Sequence, residues 1–158
     1  MGKAWLSFMA NYMVAVPFGF VLFSLALRKK WVYDIADGLA GSVATIALVK
    51  LAGWLHYQIR PFETLHRQPL IDHVADNSFP SDHLAAIGLA VAYLWIRSRP
   101  LAIAATAVAA IVGAARVHAL LHWPGDIIAG FCLGLGGMVV AHLAISRGLE
   151  LRGVSSGS

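Results

Sequence analysis

The sequence has few charged residues and almost no cysteine. Of its 158 residues, 13% are charged and only Cys132 is a cysteine. A single cysteine excludes a disulfide framework and leaves the redox compartment unreadable. Soluble domains carry about 25% charged residues. A chain with 13% charged and 59% hydrophobic residues therefore has too little polar surface to face water on all sides, which indicates a membrane protein.

Acidic residues are the scarcer of the two charged classes. Twelve Lys and Arg stand against eight Asp and Glu, and the pI is about 9.6. In a soluble protein this balance is typical of nucleic-acid binding. Here the basic residues gather at the ends of apolar runs, where membrane topology signals occur. We therefore expect membrane lipids as partners and no nucleic acid.

The apolar runs predict an all-α, polytopic transmembrane helix bundle with about five spanning helices. Most of the runs approach the ~20 residues that a spanning helix needs. A single domain is expected over residues 1–152, and residues 153–158 resemble a disordered tail or a cloning remnant. The predicted spans cover residues 5–27, 33–57, 81–96, 101–117 and 124–145.

The basic residues also predict the orientation in the membrane. Cytoplasmic loops carry an excess of Lys and Arg, and the loops after the first, third and fifth spans hold most of these residues. We therefore expect a multi-pass protein of the inner or plasma membrane, with the remaining loops facing the periplasm or the exterior. The residues on the predicted cytoplasmic side are Arg28, Lys29, Lys30, Arg97, Arg99, Arg147 and Arg152.

Polar clusters lie where predicted spans leave the lipid on the outer side. His122 and Asp126 are four residues apart at the start of the fifth span, so both project from one helix face. A carboxylate bonded to one imidazole nitrogen raises the basicity of the other, which makes a base or a nucleophile. A capped helix start with an interfacial histidine is the structural alternative.

Two arginines and a helix start could hold an anion at the same depth. Arg60 and Arg116 offer planar donor groups that suit phosphate oxygens, although each could equally anchor a helix at the interface. Ser81 begins the third span, where free backbone N–H groups favour an anion, and His83 is placed to protonate a leaving oxygen. Lys50 is a candidate because it lies within a span, but its amine could also reach the surface.

Together these residues predict a phosphate-transfer site that needs no metal, because cationic side chains can stabilise the charge on the phosphate oxygens. His118, His122 and Asp126 follow one another at four-residue spacing, which is an alternative pattern for zinc ligands. Pro124 separates His118 from Asp126 into different helices, and no His-Glu-x-x-His motif occurs. We expect neither a metal nor another cofactor.

The clusters resemble the three motifs of the type 2 phosphatidic acid phosphatase superfamily, Lys-x6-Arg-Pro, Pro-Ser-Gly-His and Ser-Arg-x5-His-x3-Asp. The resemblance covers roughly residues 40–140 and looks closest to the bacitracin-resistance type of undecaprenyl-pyrophosphate phosphatase, in which Asp commonly replaces the motif Gly. The departures are Gly53 at the motif Lys, Asp82 at the Gly and Ala115 at the Ser. The matching segments read Arg60-Pro61, Pro80-Ser81-Asp82-His83 and Ala115-Arg116-x5-His122-x3-Asp126.

The resemblance implies a role for each matching residue. His122 attacks the phosphorus and becomes phosphorylated, Asp126 orients it, and His83 protonates the leaving group and then activates water. The implied reaction converts undecaprenyl pyrophosphate, a polyprenyl pyrophosphate lipid, into undecaprenyl phosphate without a metal. The residues expected to contact the phosphate are Arg60, Arg116, Ser81, Asp82 and Lys50.

Two other classes of function stay open on the sequence alone. One is a different lipid phosphate phosphatase, acting on phosphatidic acid, phosphatidylglycerol phosphate or another polyprenyl phosphate. The other is a protein without enzymatic activity, either a transporter or a structural membrane protein. Polar residues that cluster at one face and do not continue across the bilayer disfavour a transporter.

Overall fold

The computed structural model describes residues 2–29 and 31–151, and the described residues are helical with no strand. The predicted tail, residues 153–158, lies outside the described residues, as do Lys30 and Arg152 of the charge pattern that predicts the orientation. The helices are α1 (Lys3–Ser7), which continues as a π-helical turn (Phe8–Tyr12), α2 (Ala15–Ala26), α3 (Trp31–Leu55), α4 (Pro61–Thr64), α5 (Asp82–Arg97), α6 (Arg99–His118) and α7 (Pro124–Leu151).

The all-α membrane bundle is confirmed, but fewer helices than five meet the requirements of a span. Within the described residues, α3, α6 and α7 are long and apolar enough to cross a membrane. The first predicted span is a pair of helical segments, Lys3–Tyr12 and Ala15–Ala26, bent by 42° at a short break, and it adds a fourth span if the pair crosses as one. Much of the outer face of α3 is apolar and exposed, including Leu39, Val43 and Ile46, as lipid contact requires.

The third predicted span is the centre of the bundle. Helix α5 has 16 residues, fewer than the ~20 that a span needs. It packs against α2, α3, α6 and α7, and Leu84, Ile87 and Leu94 on it are almost completely buried. Because α5 is covered by other helices, it does not need the full hydrophobic length of a lipid-facing span.

Small residues bring α5 and α7 into backbone contact. A Cβ atom at Gly134 would overlap the carbonyl oxygen of Ala85, and one at Gly130 would overlap that of Ser81. On the opposite helix, a Cβ at Gly88 would overlap the carbonyl oxygen of Phe131. Close approach through small residues is a common way to pack helices in membranes. The glycines thus fix the distance between the two helices that carry Ser81 and Asp126.

A second charged cluster lies at the end of α5 that is distant from Ser81. Arg97 Nε donates to Asp34 Oδ1 at 2.8 Å, and its Nη2 donates to Asp37 Oδ2 at 2.6 Å. Arg28 pairs with Asp34 at 2.6 Å, and His142 Nδ1 lies 3.0 Å from Asp37. The expectation that polar residues gather at one face alone is therefore wrong. Periodicity within one helix could not reveal this cluster, because four separate segments contribute to it.

The long connection between α3 and α5 folds against the α6–α7 turn. The Phe62 N–H donates to the Leu120 carbonyl at 3.2 Å, and the Leu70 N–H donates to that of Ala119 at 3.3 Å. Leu120 has a φ of 63°, in the left-handed region that non-glycine residues rarely adopt. These contacts hold the connection and the α6–α7 turn together at one end of the bundle.

Candidate active site

The starts of α5 and α7 meet at this end of the bundle. The Ser81 N–H donates to the Asp126 carbonyl at 3.1 Å, and Ser81 is the residue that caps α5. The segment before α5 also reaches α7, because the Ser78 hydroxyl donates to Asp126 Oδ2 in a very short hydrogen bond. Chain segments separated by more than forty residues therefore converge on Asp126.

The imidazole of His122 is buried, and its tautomer follows from its neighbours. Nδ1 lies 2.8 Å from the Ser78 carbonyl oxygen, which can only accept a hydrogen bond, so Nδ1 carries the proton. Nε2 lies 3.2 Å from Arg116 Nη2, which can only donate. Nε2 therefore carries the lone pair, which accepts from Arg116 and could act as a base or a nucleophile once Arg116 donates elsewhere.

The charge state of His122 follows from the same surroundings. Burial, helped by the guanidinium groups of Arg116 and Arg60, lowers the pKa of His122 to about 3. The ordinary value for histidine is about 6.5. At neutral pH the imidazole is neutral, which is the form that can attack phosphorus.

Asp126 does not contact the imidazole directly. Its Oδ2 lies 3.8 Å from His122 Nδ1, beyond hydrogen-bond distance. The same oxygen accepts from the Ser78 hydroxyl and from the Trp123 N–H, the latter at 2.8 Å. The geometry differs from the predicted carboxylate–imidazole hydrogen bond, because the Ser78 carbonyl occupies the position beside Nδ1.

Two buried polar groups at this end have no hydrogen-bond partner among the described residues. Arg116 Nη1 donates to the Ala10 carbonyl at 3.0 Å, and Nη2 faces His122, but Nε has no partner among the described residues. The Ser81 hydroxyl is buried and is also without a partner there. A guanidinium N–H and a hydroxyl beside a helix start are donors suited to the oxygens of an anion.

Arg60 is fully engaged by the protein. Its Nε donates to Asp76 Oδ1 and its Nη1 to the Leu121 carbonyl, both at 2.7 Å. Nη2 lies 3.3 Å from the Asn77 carbonyl, and the residue is 4% exposed. In this state Arg60 ties the α3–α5 connection to the α6–α7 turn and supplies positive charge to the site at longer range.

The remaining predicted residues lie at the edge of the site or away from it. His83 is half-buried, two residues beyond Ser81 on α5, and Asp82 between them is exposed. Lys50 is exposed on α3 and takes part in no hydrogen bond or ion pair with the described residues. The structure therefore brings together His122, Asp126, Arg116, Ser81 and Arg60, with His83 two residues from Ser81, whereas Lys50 makes no hydrogen bond or ion pair with them.

Sequence reasoning missed Ser78 and gave no role to His73. Ser78 has its backbone and hydroxyl in contact with His122 and Asp126, although the sequence singles it out only by its position ahead of the motif. His73 matched no motif, and burial and the charges of Arg60 and Arg116 lower its pKa. Both residues belong to the long connection, whose path the sequence does not reveal.

The described residues offer no group of metal ligands. Across residues 2–29 and 31–151, no three His, Cys, Asp or Glu side chains come together in a way that could hold a metal ion. His118, one of the three residues at zinc-ligand spacing, is the last residue of α6 and is exposed, whereas His122 is buried. The spacing of four residues therefore does not bring these two imidazoles into one environment.

The fold and the site together define a helical membrane protein with a buried histidine, arginine and aspartate at one end of the bundle. Residues 36–148 match the PAP2 superfamily, and the chain belongs to it. The predicted resemblance is thereby confirmed. The match runs from within α3 to near the end of α7 and includes every residue that contacts Asp126 or His122 through a hydrogen bond described above.

Two curated relatives are similar in sequence. The chain is 31% identical over 140 residues to the bacitracin transport permease protein BcrC of Bacillus licheniformis, covering 81% of this chain and 64% of that protein. It is 31% identical over 115 residues to the undecaprenyl-diphosphatase BcrC of Bacillus subtilis, covering 72% of this chain and 53% of that protein. The chain thus spans between about half and two thirds of the length of these relatives.

One solved structure is similar in fold. The crystal structure of a transmembrane PAP2 type phosphatidylglycerolphosphate phosphatase from Bacillus subtilis superposes with a TM-score of 0.63. The superposition covers 90% of this chain and 78% of that protein, at 20% sequence identity. At this identity the likeness establishes the shared membrane helix bundle and leaves the substrate open.

Proposed function

We propose that this protein is a membrane lipid phosphatase that hydrolyses undecaprenyl pyrophosphate to undecaprenyl phosphate. The observation that carries the proposal is the arrangement around His122. Its Nε2 carries the lone pair, which accepts from Arg116 Nη2, and Arg116 Nε and the Ser81 hydroxyl are buried without partners among the described residues at the same end of the bundle. The membership of the PAP2 superfamily and the name of the Bacillus subtilis relative support the choice of reaction.

In the first step, His122 Nε2 attacks the terminal phosphorus. An N–P bond forms, the bond from phosphorus to the bridging oxygen breaks, and undecaprenyl phosphate leaves. Arg116 moves its donors from Nε2 to the phosphate oxygens, so the group that covers the lone pair in the free protein stabilises the charge in the transition state. His83, when protonated, transfers its proton to the bridging oxygen, which leaves as the hydroxyl oxygen of undecaprenyl phosphate.

In the second step, water hydrolyses the phosphohistidine. His83, left neutral after donating its proton, removes a proton from the attacking water. The N–P bond breaks, inorganic phosphate leaves, and His122 returns to its starting form. Because cationic and N–H donors provide the charge stabilisation in both steps, the proposed mechanism uses no metal.

The lipid substrate explains why the site lies at one end of the bundle. A diphosphate head needs polar donors, whereas a polyprenyl tail is stable only in the bilayer. Residues at the helix ends can meet the head at the lipid–water boundary while the tail stays among the lipids. The exposed apolar faces of the helices are consistent with this position.

A substrate panel in detergent tests the proposed reaction. We expect purified protein to release phosphate from undecaprenyl pyrophosphate with a higher kcat/KM than from phosphatidic acid or phosphatidylglycerol phosphate. The activity should persist in excess EDTA. Faster hydrolysis of phosphatidic acid would identify a different lipid phosphate phosphatase. No hydrolysis of any of these lipids would favour a transporter or a structural protein.

We also propose that the site faces the periplasm or the exterior of the cell membrane. Arg28, which follows α2, and Arg97, which ends α5, both pair with Asp34 at the end of the bundle opposite the site. The two arginines lie on the side predicted as cytoplasmic.

Gln68, exposed in the α3–α5 connection, provides the test. In a Cys132→Ser background, Gln68→Cys should react with an impermeant maleimide in intact cells or spheroplasts. Reaction only after lysis would reverse the orientation.

A further inference from the structure

Ser78 uses every one of its hydrogen-bonding groups at the site. Its N–H donates to the Gln58 carbonyl at 2.8 Å, its carbonyl accepts from His122 Nδ1 at 2.8 Å, and its hydroxyl donates to Asp126 Oδ2. The residue is completely buried, at 0% exposure. One small residue therefore connects the end of α3, the imidazole and the carboxylate.

The carbonyl and the hydroxyl of Ser78 affect the imidazole differently. The carbonyl fixes the proton on Nδ1 and so directs the lone pair of Nε2 towards the ligand position. The hydroxyl holds the Asp126 carboxylate, which lies 3.8 Å from Nδ1. From there the carboxylate stabilises the positive charge that the ring acquires when Nε2 forms a bond to phosphorus.

We propose that Ser78 is a positioning residue of the phosphatase reaction, which orients His122 through its carbonyl and places Asp126 through its hydroxyl. This inference rests on the proposed function, because it assumes that Nε2 of His122 attacks phosphorus. It assigns to Ser78 the direct contact with the imidazole that the motif spacing predicts for Asp126. Asp126 then acts on His122 as a nearby charge held in place by the serine.

The test compares Ser78→Ala with two matched variants. Ser78→Ala removes the hydroxyl and keeps the carbonyl, so only the placement of Asp126 changes. Ser78→Cys has a similar size but donates a weaker hydrogen bond. Ser24→Ala is the control, since Ser24 is a buried serine on α2 near the opposite end of the bundle. The measurements are kcat and KM for undecaprenyl pyrophosphate, the yield of trapped phosphoenzyme in a single turnover, and the unfolding midpoint.

We expect Ser78→Ala to lower kcat by about 10- to 100-fold, since a hydrogen bond to a charged group is lost, while KM changes by less than about threefold. Ser78→Cys should fall between wild type and Ser78→Ala. Phosphoenzyme should form more slowly in Ser78→Ala, and the unfolding midpoint should stay close to that of Ser24→Ala. In an Asp126→Ala background, Ser78→Ala should lower kcat only slightly further, because the carboxylate that the Ser78 hydroxyl holds is already absent.

The outcomes separate this inference from the proposed function. If wild type hydrolyses none of the lipid phosphates, the proposed function itself fails. If wild type is active and Ser78→Ala has a normal kcat, or if Ser78→Cys and Ser78→Ala are equally active, only the role of Ser78 fails. If Ser78→Ala lowers kcat by the same factor in the Asp126→Ala background as in wild type, the serine does not act through Asp126.

Discussion

His122→Asn should abolish phosphate release from undecaprenyl pyrophosphate, with a fall in kcat on the order of 10⁴-fold or more. The asparagine amide N–H can replace Nδ1–H and keep the hydrogen bond to the Ser78 carbonyl. No atom of asparagine reaches the position of Nε2, so the nucleophile alone is lost. Initial rates of phosphate release, with a single-turnover search for phosphoenzyme, measure the effect.

His118→Asn is the matched control for this prediction. His118 is four residues away at the end of α6, but it is exposed and makes no hydrogen bond to the described site residues. It should therefore keep wild-type activity. Binding of a non-hydrolysable substrate analogue should survive in His122→Asn, since Arg116 and the start of α5 remain. Similar rates for His122→Asn and wild type would contradict nucleophilic attack by His122.

The bundle and much of its site could be predicted because they depend on patterns that are local in sequence. Apolar runs predict helices, and Pro80 and Pro124 mark where α5 and α7 begin, since Pro80 precedes the N-cap Ser81 of α5 and Pro124 opens α7. The number of spans could not be predicted, because the length that a helix needs depends on its position. Helix α5 is short since other helices cover it.

Contacts between distant segments explain what the sequence left out of the site. The His122–Asp126 spacing predicts a direct hydrogen bond, but the position beside Nδ1 is taken by the Ser78 carbonyl from another segment. Lys50 lies on a span, as predicted, yet its side chain is exposed on α3 and joins no contact of the site. The contacts at the site depend on the path of the α3–α5 connection, and this segment has no hydrophobic periodicity from which its path could be predicted.

The charged cluster opposite the site also depends on contacts between distant segments, which the sequence does not predict. Asp34 lies near the start of α3, is 1% exposed and pairs with two arginines. Arg97 also lies over the ring of Tyr93, at 3.8 Å from its centroid. Buried carboxylates are costly unless they are paired. The stability of the bundle therefore depends on Arg97, which neutralises both Asp34 and Asp37.

Arg97→Met should lower the free energy of unfolding by about 3–5 kcal/mol, because it leaves two buried carboxylates without their common partner. Methionine keeps most of the apolar length of the side chain, so the change reports mainly on the charge. The unfolding midpoint in detergent should fall by roughly 10 °C. Arg99→Met is the control, since Arg99 is exposed and lies 5.9 Å from the Trp95 ring centroid.

The same cluster predicts a rescue. If unpaired carboxylates cause the loss, adding Asp34→Asn and Asp37→Asn to Arg97→Met should restore part of the stability, because neutral amides cost less to bury than charges. In the wild-type background the two asparagine substitutions should instead destabilise the protein, since Arg97 would then be the unpaired charge. Equal midpoints for Arg97→Met and Arg99→Met, or no recovery in the triple variant, would mean that packing and not charge pairing holds this end of the bundle.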